Sequence, residues 1–274
     1  MLDRLLAETA VPGGFVLPTP SQVNWAEALF SRLLQGDASP PVVQGLAALG
    51  FDIETPDAPS APVIVREQAG RREGKGTYVL GRPRSGPVVV LQAPHRFFDR
   101  GTGVIAARLF EEAPVAALAW NDVPRRYEDK GRMVDADLAR LDVHYLTAFT
   151  RAVASIHPQS RIVQLHGFEP RKRKSATGSE AAVIISNGTK TPSPTVRSVA
   201  ACLRSAFPGA RILIFPEEVD ELGAMTNRQG AALRSLGSAG FLHLEMSSDL
   251  RARLQIMPAT RKVLARCLFA GMPQ

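Results

Sequence analysis

Two histidines in this sequence sit where a continuous apolar run gives way to polar residues. His95 follows Pro87–Gln92 (PVVVLQ), and His166 follows Arg161–Leu165 (RIVQL). The chain has five histidines in all, so two in equivalent places is a concentration. Two neutral imidazoles and a carboxylate make a good open zinc site, because a fourth position stays free for water. The metal lowers the pKa of that water and polarises a carbonyl. Asp99, four residues after His95, is the nearest carboxylate. A loop leaving a strand can curl so that both side chains face one ion. Glu245 lies near the end of Gly240–Met246 (GFLHLEM), where it could take the proton from the bound water. The expected metal ligands are therefore His95, Asp99 and His166, the expected ion is Zn2+, and the expected base is Glu245.

Each residue also has a plainer reading. Asp99 precedes Gly101-Thr102 and a helical run, so it could cap a helix or turn. His95 and His166 could each hold a loop. Glu245 alternates with Leu244 and Met246 and could face solvent. The joint placement at strand ends favours the functional reading. His243 shares a strand face with Glu245, two residues away, and could orient it. His144 and His157 are assigned to structure.

A second set of residues could grip a substrate. The run Val115–Trp120 ends in Asn121, followed by Arg125 and Arg126. Arginine presents a planar fork suited to carboxylates, which makes Arg125, Arg126 and Arg228 candidates. Asn121 and Asn227 could add hydrogen bonds. The segment Thr226–Gly230 is polar and precedes a helix, where backbone N–H groups favour anions; a plain helix cap beside a surface arginine is the alternative. The one dense basic run, Arg171-Lys172-Arg173-Lys174, reads as a solvated loop, with attraction of an acidic substrate as the other reading.

The elements that must position these residues alternate between strand and helix. Strands are expected at Pro87–Gln92, Val115–Trp120, Arg161–Leu165, Ala181–Ser186, Ala210–Phe215 and Gly240–Met246. Helices are expected at Gly103–Glu112, Asp135–Ile156, Thr195–Phe207, Asn227–Leu236 and Ala259–Phe269. This alternation indicates an α/β fold, a three-layer α/β/α sandwich whose mixed sheet is mainly parallel. Ligands then bind beyond the carboxyl ends of strands. Before residue 85, helices are expected at Trp25–Leu34 and Val42–Leu49, a Pro-rich linker at Thr55–Pro62, and strands at Val63–Glu67 and Gly76–Leu80. The division is an N-terminal helical extension, 1–62, packed on a catalytic domain, 63–274.

The segment Ala93-Pro94-His95-Arg96-Phe97-Phe98-Asp99-Arg100-Gly101-Thr102 and the late Phe241-Leu242-His243-Leu244-Glu245-Met246-Ser247 with Arg251 resemble the zinc carboxypeptidase superfamily. The likeness is to its amidohydrolase branch, the N-formylglutamate amidohydrolases and poly-γ-glutamate hydrolases, and covers roughly residues 85 to 255. It implies the carboxypeptidase-like fold, zinc on His95, Asp99 and His166, Glu245 as base, and Arg125 or Arg126 holding the substrate or polarising its carbonyl. The first acidic ligand is Asp where carboxypeptidases have Glu, one residue further along.

The expected function is a zinc-dependent hydrolase. It would cleave an amide bond, peptide or N-acyl amino acid-like, in a small-molecule or peptide substrate that bears a carboxylate. The alternative is a non-catalytic basic protein that binds nucleic acid or an acidic polymer on the same fold. The net charge of +7, mostly from arginine, suits anionic partners of either kind. Aromatic residues are only 6% and none interleaves with the basic run, which speaks against a stacking site for single strands. No apolar run approaches the roughly 18 residues of a membrane helix. The first 14 residues lack a secretory leader's apolar stretch, which points to the cytoplasm, with a mature secreted form left open. Cys202 and Cys267, far apart in sequence, read as two buried thiols, with a disulfide as the lesser alternative.

Overall fold

The computed structural model describes residues 1–8, 14–55, 61–82 and 86–273. The helices are α1 (Leu2–Glu8), α2 (Pro20–Leu34), α3 (Pro40–Ala48), α4 (Thr102–Glu112), α5 (Tyr145–Ile156), α6 (Ala176–Ser179), α7 (Pro194–Ala206), α8 (Arg228–Ser235), α9 (Ser248–Ile256) and α10 (Pro258–Leu268). The strands are β1 (Phe51–Glu54), β2 (Val63–Glu67), β3 (Thr77–Leu80), β4 (Val89–Ala93), β5 (Ala117–Trp120), β6 (Arg126–Asp129), β7 (Arg132–Asp135), β8 (Arg161–Phe168), β9 (Ala181–Ser186), β10 (Arg211–Ile214) and β11 (Phe241–Ser247).

Nine strands form one mixed sheet in the order β1-β2-β3-β5-β4-β8-β11-β9-β10. The central four, β5, β4, β8 and β11, run parallel; β3 and β9 flank them antiparallel. Side chains alternate across the sheet. Val89, Leu91 and Ala93 of β4, Val163 and Leu165 of β8, and Leu242, Leu244 and Met246 of β11 face a core shared with α1, α4, α7, α9 and α10. Val90, Ile162 and Phe241 face the other core, with α2, α3, α5 and α8. The architecture is the three-layer α/β/α sandwich. The two-residue period of a strand then puts Gln92, Gln164, His166, His243 and Glu245 on that second face. Register places Glu245 directly beside His166 and His243 beside Gln164.

Several sequence expectations need correction. The helix expected over Asp135–Ile156 fails in its first half. Lys130 and Gly131 both have positive φ, 49° and 76°, as the two-residue turn of a hairpin demands, and Arg126–Asp129 pairs with Arg132–Asp135. A 3₁₀ turn, Leu138–Arg140, follows, and α5 starts only at Tyr145. The spacing of Leu138 and Leu141 imitates a helical face. His144 sets the true start, since its Nδ1 accepts the Leu146 N–H at 3.1 Å. Strand β8 runs three residues past Leu165, so His166 lies inside it.

Cys202 of α7 and Cys267 of α10 are joined in a disulfide across 65 residues of sequence. The expectation of two thiols fails because sequence distance hid the side-by-side packing of these helices. The first 54 residues are not purely helical: β1 pairs with β2 at the sheet edge. Phe30 of α2 packs on Tyr78 and Phe149 with ring centroids at 4.7 and 5.3 Å, within the second core. Positions 56–60 of the expected linker lie outside the described residues. No helix among the described residues is long and apolar enough to cross a membrane.

Candidate metal centre and active site

The carboxyl ends of β4, β8 and β11 open into a cavity of about 690 Å³ whose lining includes His95, Asp99, His166, His243 and Glu245. Strand β4 delivers His95 in the turn that follows it. A backbone hydrogen bond from Asp99 N to His95 O, 2.8 Å, curls that turn and brings the Asp99 carboxylate back. Asp99 Oδ2 lies 3.0 Å from His166 Nδ1 and 3.7 Å from His95 Nδ1. The three groups are buried, at 5, 7 and 4% exposure for His95, Asp99 and His166.

The outer nitrogens of both rings are held by acceptors. His95 Nε2 donates to Asp137 Oδ1 at 2.7 Å. His166 Nε2 faces Gln164 Oε1 at 3.4 Å. Carboxylate and amide oxygens only accept, so Asp137 draws the His95 proton to Nε2 and leaves its Nδ1 lone pair facing inward, while His166 has an acceptor at each nitrogen, Asp99 at 3.0 Å being the nearer. Arg125 Nη1, a donor 3.5 Å from His95 Nδ1, agrees with that tautomer. Two imidazole nitrogens and a carboxylate oxygen thus lie within 4.8 Å of one another. This donor set suits a divalent cation such as zinc.

A second set overlaps the first: ligand atoms of His166, His243 and Glu245 also lie within 4.8 Å of one another. His243 stacks obliquely on His166 with ring centroids at 4.5 Å. Its Nδ1 and Glu245 Oε2 are both buried without a hydrogen-bond partner. Such orphans are rare in a folded interior, and they mark the place where something else must complete the site.

Burial and neighbouring charges set the electrostatics. Burial pushes the Glu245 carboxyl up to about 8, with Asp99 adding to the rise. For Asp99, burial works in the same direction, but the His166 and His95 rings outweigh it and hold the carboxyl well below its usual range. Burial opposes protonation of His95, yet Asp137 and Asp99 raise its pKa. Burial dominates His166, whose pKa falls. His243 falls further, through burial and then the neighbouring His166.

Of the substrate candidates, Arg125 lines the cavity, its guanidinium 5.1 Å from the Phe98 ring centroid. Arg126 stands away, on the exposed hairpin and paired with Asp135 at 3.6 Å. Arg228 is also exposed and lies 3.2 Å from Asp142. Asn121 is fully buried and structural: it accepts from Arg96 N at 3.0 Å and donates to Val123 O at 2.6 Å. Asn227 touches the cavity, but it caps α8 through Gly230 N, 2.8 Å, and donates to Gln164 at 2.6 Å.

Sequence reasoning missed Asp137 and Gln164, and it left Arg173 as loop. Asp137 fell inside the wrongly expected helix. Gln164 carried a signal, a polar residue within an apolar strand. It joins His166 to a buried amide network, donating to Gln92 Oε1 at 2.9 Å and to Gln229 Oε1 at 3.0 Å. Arg251 clasps the loops around the site, reaching Phe168 O at 3.1 Å, Arg100 O at 3.0 Å and Glu169 at 3.0 Å. Gly167 makes that possible, since a Cβ there would lie 2.2 Å from the Arg251 guanidinium.

No family model matches the chain, and no curated protein matches it in sequence. Among solved structures, it is similar to N-formylglutamate amidohydrolase from Ralstonia eutropha at 15% identity and TM-score 0.45, over 71% of this chain and 97% of that one. An aspartoacylase family protein from Mesorhizobium loti shares 13% identity at TM-score 0.44, over 81% and 71%. A protein described as a carboxypeptidase A, from Shewanella denitrificans, shares 12% at TM-score 0.47, over 84% and 68%.

Proposed function

We propose that the protein is a zinc-dependent hydrolase that cleaves an amide bond, peptide or N-acyl amino acid-like, in a carboxylate-bearing substrate. One observation carries this reading: the Nδ1 atoms of His95 and His166 turn toward a shared Asp99 oxygen, at 3.7 and 3.0 Å. His95, Asp99 and His166 would hold the ion. Zinc there supplies Lewis-acid polarisation of a carbonyl and water acidic enough to attack near neutral pH.

The chain's own residues do the rest. Asp137 holds His95 in the tautomer that leaves Nδ1 unprotonated, and with an ion bound Gln164 would accept the His166 proton at Nε2. Glu245 moves the proton: with a pKa pushed up to about 8, its carboxyl can accept a proton from attacking water and return it to the departing amine close to neutral pH. Its unpartnered Oε2 leaves an oxygen free for that transfer. Arg125, beside His95 with no carboxylate within salt-bridge reach among the described residues, is placed to orient the substrate carbonyl or a carboxylate. None of the described residues before 63 lines the cavity, so those residues serve as support. The Cys202–Cys267 bridge favours an oxidising compartment over the cytoplasm.

The test is metal content measured alongside activity. Purified protein should hold zinc, a chelator should abolish amide cleavage, and added zinc should restore it. His166→Ala should lose both metal and turnover. A His166→Ala protein with full metal occupancy would refute this reading.

A further inference from the structure

The turn that delivers His95 is anchored from behind, and the anchor reaches a helix that has no part in the cavity. Arg96 follows His95 directly. Its main-chain N–H donates to Asn121 Oδ1 at 3.0 Å. Its guanidinium forks: Nε donates to Asn121 O at 2.7 Å, and Nη1 donates to Leu6 O at 3.0 Å. Asn121 comes directly after β5, and Leu6 belongs to α1. One side chain therefore joins three pieces of chain: the His95 turn, the end of β5 and α1. It is packed as well as bonded. The guanidinium stands 4.3 Å from the Phe97 ring centroid. A Cβ on Gly103 would lie 3.2 Å from both Arg96 Cδ and Leu6 Cδ2, so the first turn of α4 closes against the pair.

Helix α1 suits the receiving end. The last carbonyls of a helix have no partner inside it, and those of Leu6 and Glu8 are among them. Arg72 Nη2 takes Glu8 O at 2.9 Å, as Arg96 takes Leu6 O. Two guanidinium groups at this end also complement the helix dipole. Leu2, Leu5 and Leu6 are buried in the core shared with α4. A helix of seven residues is too short to persist alone, so α1 keeps its carbonyls in place only while docked. No residue of α1 lines the cavity; its link to the site is Arg96. Beyond Arg96, the Phe98 and Asp99 amides both donate to His95 O, at 2.9 and 2.8 Å, and these bonds keep His95 and Asp99 on one side. The far end of the turn is held separately, by Arg251 at Arg100 O, 3.0 Å.

We infer that Arg96 is a positioning residue for the metal centre, and that through it the docking of α1 sets how tightly His95 and Asp99 hold an ion. This deepens the hydrolase reading and rests on it for the ion alone. Arg96 touches neither ion nor substrate. It fixes the backbone from which the His95 ring and the Asp99 carboxylate depart. A Zn–N bond is about 2 Å long, so a shift of the turn by a fraction of that length weakens it. The result is a coupling between two places: loosening α1, outside the cavity, loosens the grip on the ion inside it.

The experiment compares full-length variants well below their melting temperatures, with folding checked by circular dichroism. It has two readouts: zinc affinity by competition with a calibrated chelator, and hydrogen exchange of the Phe98 and Asp99 amides in chelator, without metal. Arg96→Met should weaken zinc binding by roughly tenfold, the low end of the range for groups that support a ligand, and should speed exchange by roughly the same factor. Arg96→Lys keeps the charge without the fork and should fall between Arg96→Met and wild type. Leu2→Ala/Leu5→Ala loosens α1 while leaving Arg96 and the ligands in place, and should weaken zinc binding by roughly three- to tenfold. This variant and Arg96→Lys decide the matter if Arg96→Met fails to fold. Phe30→Leu, which weakens the second core, should leave both readouts at wild type and so separates positioning from plain loss of stability. Unchanged zinc affinity and exchange in the Arg96 and α1 variants overturn the proposal, and so does an equal weakening in Phe30→Leu. A wild-type protein without zinc affinity removes the hydrolase reading, while exchange in chelator still decides for or against the coupling of α1 to the turn.

Discussion

Buried histidines occur in this fold under two opposite conditions. His144 is fully enclosed at the start of α5, and both of its ring nitrogens are used: Nε2 donates to Gly74 O at 3.0 Å, and Nδ1 accepts from Leu146 N at 3.1 Å. At the ends of β4, β8 and β11, three imidazoles crowd together, with centroids 4.8 and 4.5 Å apart. There His95 and His166 meet side chains, Asp137, Gln164 and Asp99, and His243 Nδ1 has no hydrogen-bond partner. A histidine whose nitrogens are met by backbone is architecture. One with a nitrogen left over, as in His243, beside the leftover Oε2 of Glu245, belongs to a receptor. Burial does not separate the two cases; hydrogen-bond satisfaction does.

The sharpest way to break that distinction is Glu245→Gln. The amide keeps the shape and removes the proton acceptor. Turnover of a cleavable acidic amide should fall by roughly 10²- to 10⁴-fold, the usual contribution of a positioned base, while bound zinc stays near wild type. Steady-state kinetics with metal analysis checks it, and a variant within threefold of wild type would remove Glu245 from the chemistry.

On the architectural side the expected effect is on stability. His144→Ala leaves the Leu146 N–H and the Gly74 carbonyl without partners in the interior, which costs roughly 2–5 kcal/mol. Denaturant midpoints measure this. The wild-type protein should also show the signature with pH. Burial holds the folded pKa of His144 down to about 4, against about 6.5 for an exposed histidine. As pH falls below about 6.5 the unfolded chain takes up the proton first, so stability drops between about 6.5 and about 4. The loss amounts to about 3 kcal/mol. His144→Gln should flatten that part of the stability curve.

A smaller effect tests whether the receptor depends on its outer supports. Asp137→Asn weakens the acceptor on His95 Nε2, which should lower zinc affinity by roughly ten- to a hundredfold without removing a ligand. Competition with a calibrated chelator reads this directly. Unchanged affinity would make Asp137 a mere neighbour.

How far the sequence discloses this depends on the range of the signal. The central strands were legible because apolar runs such as PVVVLQ are strictly local, and their ends gave His95 and His166. The two-residue alternation of β11 gave Glu245 its face, though not its burial. What failed was non-local or competing. Leu138 and Leu141 fit a helical period, so Asp137 disappeared into a false helix, and the hairpin just before it, turning at Lys130-Gly131, went unread. The Cys202–Cys267 pairing needs two helices brought together across 65 residues. Arg126 and Arg228 were plausible by type, yet Asp135 and Asp142 engage them outside the cavity, while Arg173 enters it because Glu221, far off in sequence, folds its loop inward.

The smallest expected effect bears most directly on the comparison, because its sign is opposite at the two places. His243→Leu exchanges an imidazole with an orphaned buried nitrogen for an apolar group of similar size. The metal-free protein should gain about 1 kcal/mol, since an unmet buried polar group costs at least that much. The same exchange at His144 should lose stability, because there the imidazole satisfies two backbone groups. Thermal melts in chelator, run on both variants, decide between the two. If His243→Leu loses stability as His144→Leu does, then His243 is held by a partner of its own, and unsatisfied hydrogen bonding would no longer separate receptor from architecture in this fold.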